Sequence, residues 1–520
     1  MPIIPITNFG NGWANDYVRG GIGECSVCKQ FDILTYPYRL QPLRGMTNNG
    51  EPTNTLLGNM ILGANGIFYG IGANPSSTTQ GRLYKRTGIG ASDFWQSFSV
   101  AQNASNTSAI NYDFLVHYPE MGATRKLFWS DPANILSSDP NDAGSSANTY
   151  ALTFTTLGQG IVHPKDKVLY FPYQTSTKTL IGKISYHASN EFTNVNNTAM
   201  ELPNRYRIYN LSWYGDYLAI PMTTSGGSEN RSVVGFWDRD TSLTTINETI
   251  PWGEGNLKVL NNLNGVLIGI SEFGGNNPNT QDIDKIQIKA YAGGTEPIIL
   301  KEIVATRLTT TAPTCSINHR VNFVHDNRLY FSVNVSNGGT APSYYGVWSI
   351  GKNKQGIWTL NLERMATNDN SETGVIACAK SGDFFTMVHT TAGTLTYTVN
   401  GNTLSNIYNA TSVYESTINP EMPEDDRPKK KKLKSVRATY LPLPTDGVVT
   451  MQYRVDASAN GAWTTIFTES TDGKVRTEAK FDSNKNQFTD GTNYEFRLTS
   501  TEGAIITSFA YDYEVTPDFI

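Results

Sequence analysis

The segment Asn264-Gly265-Val266-Leu267-Ile268 carries the pattern that decides the fold. A turn pair that tolerates positive φ runs straight into an apolar triplet, the signature of a tight hairpin feeding a buried strand. The same arrangement occurs as Asn65-Gly66 before Ile67-Phe68-Tyr69, Asp166-Lys167 before Val168-Leu169-Tyr170, and Gly215-Asp216 before Tyr217-Leu218-Ala219. It returns as Asn327-Arg328 before Leu329-Tyr330-Phe331 and Gly382-Asp383 before Phe384-Phe385-Thr386, with Leu127-Phe128-Trp129 as a weaker copy. The triplets start at 67, 127, 168, 217, 266, 329 and 384, so the period is irregular but centred near fifty.

After each triplet and a polar loop comes another strand-like run, such as Ile184-Ser185-Tyr186, Val234-Gly235-Phe236-Trp237 or Val347-Trp348-Ser349-Ile350. A further run closes several units, as in Pro297-Ile298-Ile299-Leu300 and Gly356-Ile357-Trp358-Thr359-Leu360. About four strands repeating every ~40–60 residues is the pattern of a β-propeller, whose blades bury their faces on one another. Seven units predict six or seven blades. A row of separate β-sandwiches would also give short strands at even spacing, but would not repeat one turn-plus-triplet at one period. Helical periodicity is nearly absent, because Gly, Pro, Asn or Asp-Gly interrupts almost every window.

The expected fold class is therefore all-β, a degenerate six- or seven-bladed propeller over 59–415 followed by a small antiparallel β-sandwich over 433–520. Between them, 416–432 reads as a linker: Asn419 to Pro428 is proline-rich and acidic, and Lys429 to Lys432 is a basic run that those acids neutralise. Such a segment offers little to bury and is expected to be protease-sensitive. Residues 1–58 do not repeat. Asn8 to Gly23 reads as an extended arm, while Phe31 to Leu34 and Tyr38 to Leu40 are candidates for an outer strand completing the last blade.

Composition narrows the function. Charged residues are 17% of 520 and the net charge is -5, which excludes an acidic disordered chain and a basic nucleic-acid coat. No run approaches the ~20 apolar residues of a membrane-spanning helix. Met1-Pro2-Ile3-Ile4-Pro5-Ile6 lacks the basic and continuous apolar regions of a secretory signal, and four cysteines make no disulfide scaffold. The expectation is synthesis in a reducing cytoplasm.

Cys25-Ser26-Val27-Cys28 has zinc-knuckle spacing, but no second ligand pair lies near it, and His117 sits in an apparent strand. The reading is two reduced thiols in a turn. The histidines at 117, 163, 187, 319, 325 and 389 are scattered, with no nucleophile elbow and no His-Glu-x-x-His. Propeller glycosidases need a carboxylate pair, and sialidases an Asp-box turn besides. Ser458-Ala459-Asn460-Gly461-Ala462-Trp463 and Asn353-Lys354-Gln355-Gly356-Ile357-Trp358 approach that turn with the wrong spacing. Trp237-Asp238 lacks a Gly-His partner, and the diglycines Gly226-Gly227 and Gly274-Gly275 are not periodic. The sequence thus assigns no catalytic residue, no cofactor and no metal, and predicts a protein that is not an enzyme.

The architecture resembles a tail structural protein of a tailed bacteriophage, of the propeller hub or nozzle type found in short-tailed phages. The resemblance is carried by the start Met1-Pro2-Ile3, the Asn-, Thr- and Gly-rich degenerate propeller, and a terminal module reading Lys434-Ser435-Val436-Arg437-Ala438-Thr439-Tyr440-Leu441-Pro442-Leu443-Pro444, then Gln452-Tyr453-Arg454 and Gly461-Ala462-Trp463. It implies a virion location in the tail, a homo-oligomeric ring of about six subunits in the genome-ejection conduit, contacts with other tail proteins, and passive contact with exiting DNA. The rival is a glycan-binding or glycan-cleaving propeller, a tail adhesin or sialidase-like glycosidase, with Tyr344-Tyr345 or Trp213-Tyr214 as sugar platforms.

Far-UV circular dichroism of the purified protein is expected to show a β spectrum with less than ~10% helix. Strong helical minima would contradict the repeat.

Overall fold

The computed structural model of the chain describes residues 3–14, 22–43, 47–48, 57–74, 77–86, 95–98, 111–119, 123, 126, 127–139, 148–187, 191–224, 231–242, 245–273, 285–304, 314–336, 344–365, 372–382, 384–391, 394–399, 411–456, 462–480 and 490–516. Among them there is no α-helix, and one 3₁₀ turn, Glu424–Asp426. The chain forms two compact units, Thr47–Val347 with Ala366–Asn402, and Met1–Met46 with Trp348–Met365 and Thr403–Ile520.

The larger unit is a seven-bladed β-propeller. Blade 1 runs Leu57–Leu62, Phe68–Asn74, Ser77–Arg86, Gln96–Phe98, and blade 2 runs Asn111–His117, Leu127–Ser130, Asn134–Ser138, Asn148–Ala151. Blade 3 opens with the short pieces Thr156–Leu157 and Ile161–Val162, followed by Leu169–Gln174, Lys178–His187 and Glu191–Pro203. Blade 4 opens with Tyr206–Arg207 and Ser212–Tyr214, followed by Tyr217–Thr224, Arg231–Trp237 and Glu248–Glu254. Blade 5 is Asn256–Leu263, Val266–Phe273, Lys285–Tyr291 and Ile298–Val304. Blade 6 begins Thr314–His325, Arg328–Ser336, and the division between the units falls within its third strand, Tyr344–Lys352. Blade 7 is Glu372–Ser381, Phe384–Thr391 and Thr394–Val399.

Every apolar triplet of the sequence supplies the second strand of its blade, which is why seven triplets give seven blades. The turn chemistry does what its residues predict: Asn264 and Gly265 both have positive φ, 53° and 84°, and Leu263 pairs with Val266 across them. First strands of successive blades pack side by side, and Glu372–Ser381 packs back on Leu57–Leu62 to close the ring. Between blades 7 and 1 the seam is apolar, with Leu57, Met60, Phe68 and Tyr84 against Ala377, Phe384 and Val388.

Closure also uses the chain's early residues, but not the ones expected. Thr47–Asn48 is the outer strand of blade 7, with Asn48 opposite Thr398 and Thr47 opposite Val399. Phe31, Ile33, Leu34 and Leu40 are buried in the smaller unit instead. Asn8 to Gly23 is not an extended arm where it is described: Phe9 is fully buried, and Gly12–Trp13 pairs in parallel with Glu24–Cys25.

The smaller unit is a β-sandwich assembled from three separated stretches of chain. One sheet has the order Ile3–Ile6, Ile506–Val515, Lys431–Tyr440, Arg476–Lys480. The facing sheet runs Glu24–Lys29, Ser412–Ser416, Tyr494–Ser500, Val449–Val455, Thr464–Glu469, with Trp358–Met365 added in parallel beside Glu24–Lys29. Alternation, reset by a bulge between Leu433 and Ser435, sends Ile4, Ile6, Leu433, Val436, Ala438, Met451, Phe496, Leu498 and Phe509 into one core. The boundaries 59–415 and 433–520 are therefore redrawn: residues at both ends of the chain belong with the sandwich because their apolar side chains complete its core, and Trp348–Met365 groups with it through Leu362 pairing with Lys29 and Trp348 packing 4.9 Å from Trp13.

The expected linker is likewise folded. Ser416, Thr417, Asn419 and Met422 are buried, and Asn419 accepts Tyr494 N–H while donating to Thr492 O. Lys431 has no exposed surface, and its Nζ donates to the carbonyls of Asp426, Arg427 and Lys429 at 2.9, 2.9 and 2.7 Å. Burial lowers its pKa to about 8. The basic run is thus a cap stitched by one of its own lysines, with Lys429 paired to Asp426 at 2.9 Å.

Lys431→Met leaves three carbonyls without their donor and is expected to lower stability by about 1–3 kcal/mol, read by calorimetry. Limited trypsin on the wild type should spare the bond after Lys431. Rapid cleavage there would contradict the buried lysine.

Candidate functional site

Two irregularities in the propeller's innermost strands create a polar cluster on the axis. In blade 2, Trp129 pairs with Leu115 but Ser130 pairs with Asn111, so Tyr112, Asp113 and Phe114 bulge from the ladder. In blade 6, Asn318 pairs with Ser332 but Asn322 pairs with Phe331, so His319, Arg320 and Val321 bulge likewise. Phe114 and Val321 turn into the packing, whereas Asp113, His319 and Arg320 meet. Bulges re-aim side chains in this way at the rims of closed sheets. Blades 2 and 6 stand three places apart in a ring of seven, as far as two blades can be. A contact between their inner strands therefore crosses the axis.

Asp113 Oδ1 receives His319 Nε2 at 3.1 Å and Arg320 Nε at 2.7 Å. Burial pushes the Asp113 carboxyl up, but His319 and Arg320 together outweigh it and hold the pKa at about 2. Tyr209 of blade 4 lies against His319 with ring centroids 5.1 Å apart and carries the Arg207 guanidinium 4.7 Å from its centroid. Burial raises the Tyr209 pKa. Lys258, displaced by a bulge in blade 5, binds both oxygens of Glu272 at 2.9 and 2.8 Å, and Glu272 also accepts Ile317 N–H at 2.7 Å.

The chemistry of this arrangement is that of a locked ion-pair network. His319 and Asp113 form an oriented imidazole–carboxylate pair. Glycosidic cleavage, however, needs one carboxyl kept protonated near neutrality, and Asp113 is shifted the opposite way while Glu272 is held by an ammonium and a backbone N–H. The sequence reading assigned no site residues. The structure brings Asp113 and His319 together across 206 positions, and no local signal marks either one.

Three of the histidines described as scattered occupy one repeat position, the end of the inner strand before the hairpin turn: His117, His163 and His325. His325 Nε2 accepts Gly382 N–H of blade 7 at 3.1 Å, and His117 Nδ1 accepts Ala64 N–H of blade 1 at 3.4 Å. His163 is fully buried and meets Arg239 of blade 4 at 3.2 Å. Asp166 beside it accepts Arg239 Nε at 2.8 Å and Tyr170 Oη at 2.9 Å. Burial raises the Asp166 carboxyl, but hydrogen bonds from His163, Val168 N–H and Tyr170 bring it down to about 2. These histidines stitch neighbouring blades.

Cys25 and Cys28 lie in a strand, not a turn, and both are buried. Cys25 donates to Gly12 O at 3.2 Å, and burial, then Cys25, raises Cys28 well above the usual thiol range. No cluster of three His, Cys, Asp or Glu able to hold a metal occurs among the described residues. Of the suggested sugar platforms, Tyr214 packs on Phe236 and Tyr291 with centroids 5.5 and 5.4 Å away, and Tyr344 and Tyr345 are half-buried. Asn353, in one near-Asp-box, turns its side chain inward to donate to Gly10 O at 2.7 Å. Ser458 to Gly461, Gly226-Gly227, Gly274-Gly275 and Asp383 lie outside the described residues.

No protein-family model matches the chain, and no curated protein does. Among solved structures it is similar to a mutant Trypanosoma rangeli sialidase displaying trans-sialidase activity, at 8% identity and TM-score 0.34 over 93% of this chain and 95% of that one. It is similar to the phage phi92 endosialidase at 8% identity and TM-score 0.31, over 67% and 65%. It is also similar to the aldose sugar dehydrogenase of Streptomyces coelicolor in its PQQ-bound form, at 11% identity and TM-score 0.32, over 52% and 90%. With TM-scores this far below 0.5, fold and chemistry rest on the chain's own strands and side chains.

Asp113→Asn is expected to cost about 1–3 kcal/mol, because Arg320 loses its charge partner and His319 its carboxylate contact. Acid should weaken the wild type in two windows. Burial, then Lys126, lowers His117 from 6.5 to about 4, so its contribution is complete above pH 6.5 and is lost as pH falls from 6.5 toward 4. The Asp113 contribution is complete above its ordinary value of 3.8 and is lost as pH falls toward 2. Melting temperature against pH reads both windows. His117→Gln, whose amide oxygen accepts the same N–H, should flatten the upper one.

Proposed function

We propose that this protein is a structural component of a phage virion tail, of the hub or nozzle type, that works by packing into an oligomeric ring and carries out no catalysis. The observation that supports this reading is the axial cluster: its ionisable groups neutralise one another, with Asp113 between His319 and Arg320 and Glu272 on Lys258. A bridge across the axis also makes the single propeller unsuited to threading nucleic acid. A genome conduit would instead be enclosed by a ring of several subunits, each propeller serving as a rigid wall or docking face. The net charge of -5 suits a surface that DNA passes without adhering. No helix among the described residues is long and apolar enough to cross a membrane.

The convergence of Asp113, His319, Arg320 and Tyr209 on one axis favours a second reading, a glycan-binding or glycan-cleaving propeller. Mass photometry and negative-stain microscopy of the purified chain separate the two. The expected outcome is a closed ring of discrete mass, of about six subunits. A monomer at every concentration, with glycan hydrolysis that disappears in Asp113→Asn and His319→Gln, would replace the structural reading with the enzymatic one.

A further inference from the structure

We propose that a groove on the outer face of the sandwich sheet Ile3–Ile6, Ile506–Val515, Lys431–Tyr440, Arg476–Lys480 binds an anionic saccharide, carboxylated or phosphorylated. The groove has a volume of about 390 Å³, within the ~300–1,000 Å³ range of small-molecule sites. Register builds it. Ser435 lies between Asp512 and Lys480, Arg437 lies between Ala510 and Glu478, and Ile3 lies opposite Asp512. A bulge between Leu433 and Ser435 brings Lys434 to the same cavity.

Its charges are unevenly matched. Lys434 pairs with Glu514, and Glu478 pairs with Arg476 at 2.7 Å. Arg437 and Lys480 have no ion pair among the described residues, and the half-buried Asp512 carboxylate lines the groove beside them. The groove thus asks its ligand for a hydrogen-bond donor at Asp512 and negative charge at Arg437 and Lys480. Hydroxyls and a carboxylate or phosphate on one sugar ring supply both. Ala510 and the half-exposed Ile3, 53% accessible, offer a small apolar surface for the C–H face of such a ring.

The same residues disfavour other small anions. Inorganic phosphate has charge for Arg437 but is repelled by Asp512. A nucleotide base would need an aromatic platform, and Tyr511, the one aromatic lining residue, is buried with its hydroxyl donating to Pro420 O at 2.6 Å. The site lies apart from the axial cluster in sequence and chemistry, and it does not depend on the virion role.

The test is titration of the full chain, by calorimetry and ligand-observed NMR, with N-acetylneuraminic acid, glucuronic acid and glucose 6-phosphate, against neutral glucose and inorganic phosphate alone. Acidic sugars are expected to bind with Kd of ~1 mM or tighter, at least about tenfold better than glucose or inorganic phosphate. The carboxylated and phosphorylated members then show which anion is preferred. Arg437→Gln with Lys480→Gln should weaken binding about tenfold without changing the melting temperature, and Asp512→Ala should remove the advantage of a sugar over plain phosphate. Absence of binding by every acidic sugar at ~10 mM, equal binding of inorganic phosphate, or unchanged binding in the double variant overturns the proposal.

Discussion

The propeller depends on carboxamide side chains that join inner strands across five of its seven blade-to-blade seams. Inner strands of adjacent blades belong to different sheets, so most backbone groups on their facing edges have no ladder partner, and a buried unpaired N–H or C=O costs as much as a lost hydrogen bond. Asn and Gln carry the donor and acceptor of a peptide group at the end of a side chain. Gln159 of blade 3 accepts Leu115 N–H and donates to Leu115 O of blade 2 at 3.3 and 2.6 Å. Asn210 of blade 4 does the same to Leu260 of blade 5 at 3.2 and 2.7 Å. Asn59 reaches Tyr112 O at 2.9 Å, Asn261 meets Asn322, and Asn318 donates to Val375 O and Ile376 O at 2.9 and 2.8 Å. At these five seams an amide substitutes for strand pairing, whereas blades 3 and 4 join directly, Gln159 N–H to Tyr209 O at 2.8 Å and Leu211 N–H to Gln159 O at 3.3 Å.

Around this polar ring the blades are held by wedge-shaped apolar packing. Trp252 of blade 4 lies so close to Gly269 of blade 5 that a Cβ there would stand 2.3 Å from the indole, which fixes glycine at that point in the strand. Leu260 belongs to the same apolar cluster as Trp252, Leu257 and Leu267, so the residue clamped by Asn210 is also a core residue. Hydrogen bonding and packing therefore fix the same relative position of two blades, which leaves little freedom to slide. The histidine stitches at the turns, His117 to Ala64 and His325 to Gly382, add a second level of blade-to-blade contact away from the amide ring.

The sandwich is built by a different rule. Its core comes from stretches that are distant in sequence but alternate cleanly between apolar and polar residues, so any segment with the right two-residue period can be recruited. Ile3–Ile6 is such a segment, and so are Glu24–Lys29 and Ser412–Ser416. Recruiting both ends leaves charged residues on the outer faces, among them Arg454 paired with Glu495 and Arg497 paired with Glu415, each guanidinium lying within 4.5 Å of the Trp463 ring centroid.

The local pattern determined the repeating unit. Turn residues that adopt positive φ and the apolar triplets after them act over a few positions, so all seven second strands, and with them the all-β class, were legible in the sequence, while the blade count stayed between six and seven. The alternation of Leu433 to Tyr440 likewise named the strand it became. What only the tertiary structure decided is where non-repeating residues go. Thr47–Asn48 has too little pattern to be recognised as a closing strand, and Phe31 to Leu34 is equally apolar whether it joins a blade or a sandwich core. Lys431 reads as one of four solvated lysines until three carbonyls curl round it. Asp113 and His319 become partners only because two bulges lie three blades apart on a closed ring. Contacts of this kind join residues hundreds of positions apart, and their energy depends on geometry that the order of residues does not express.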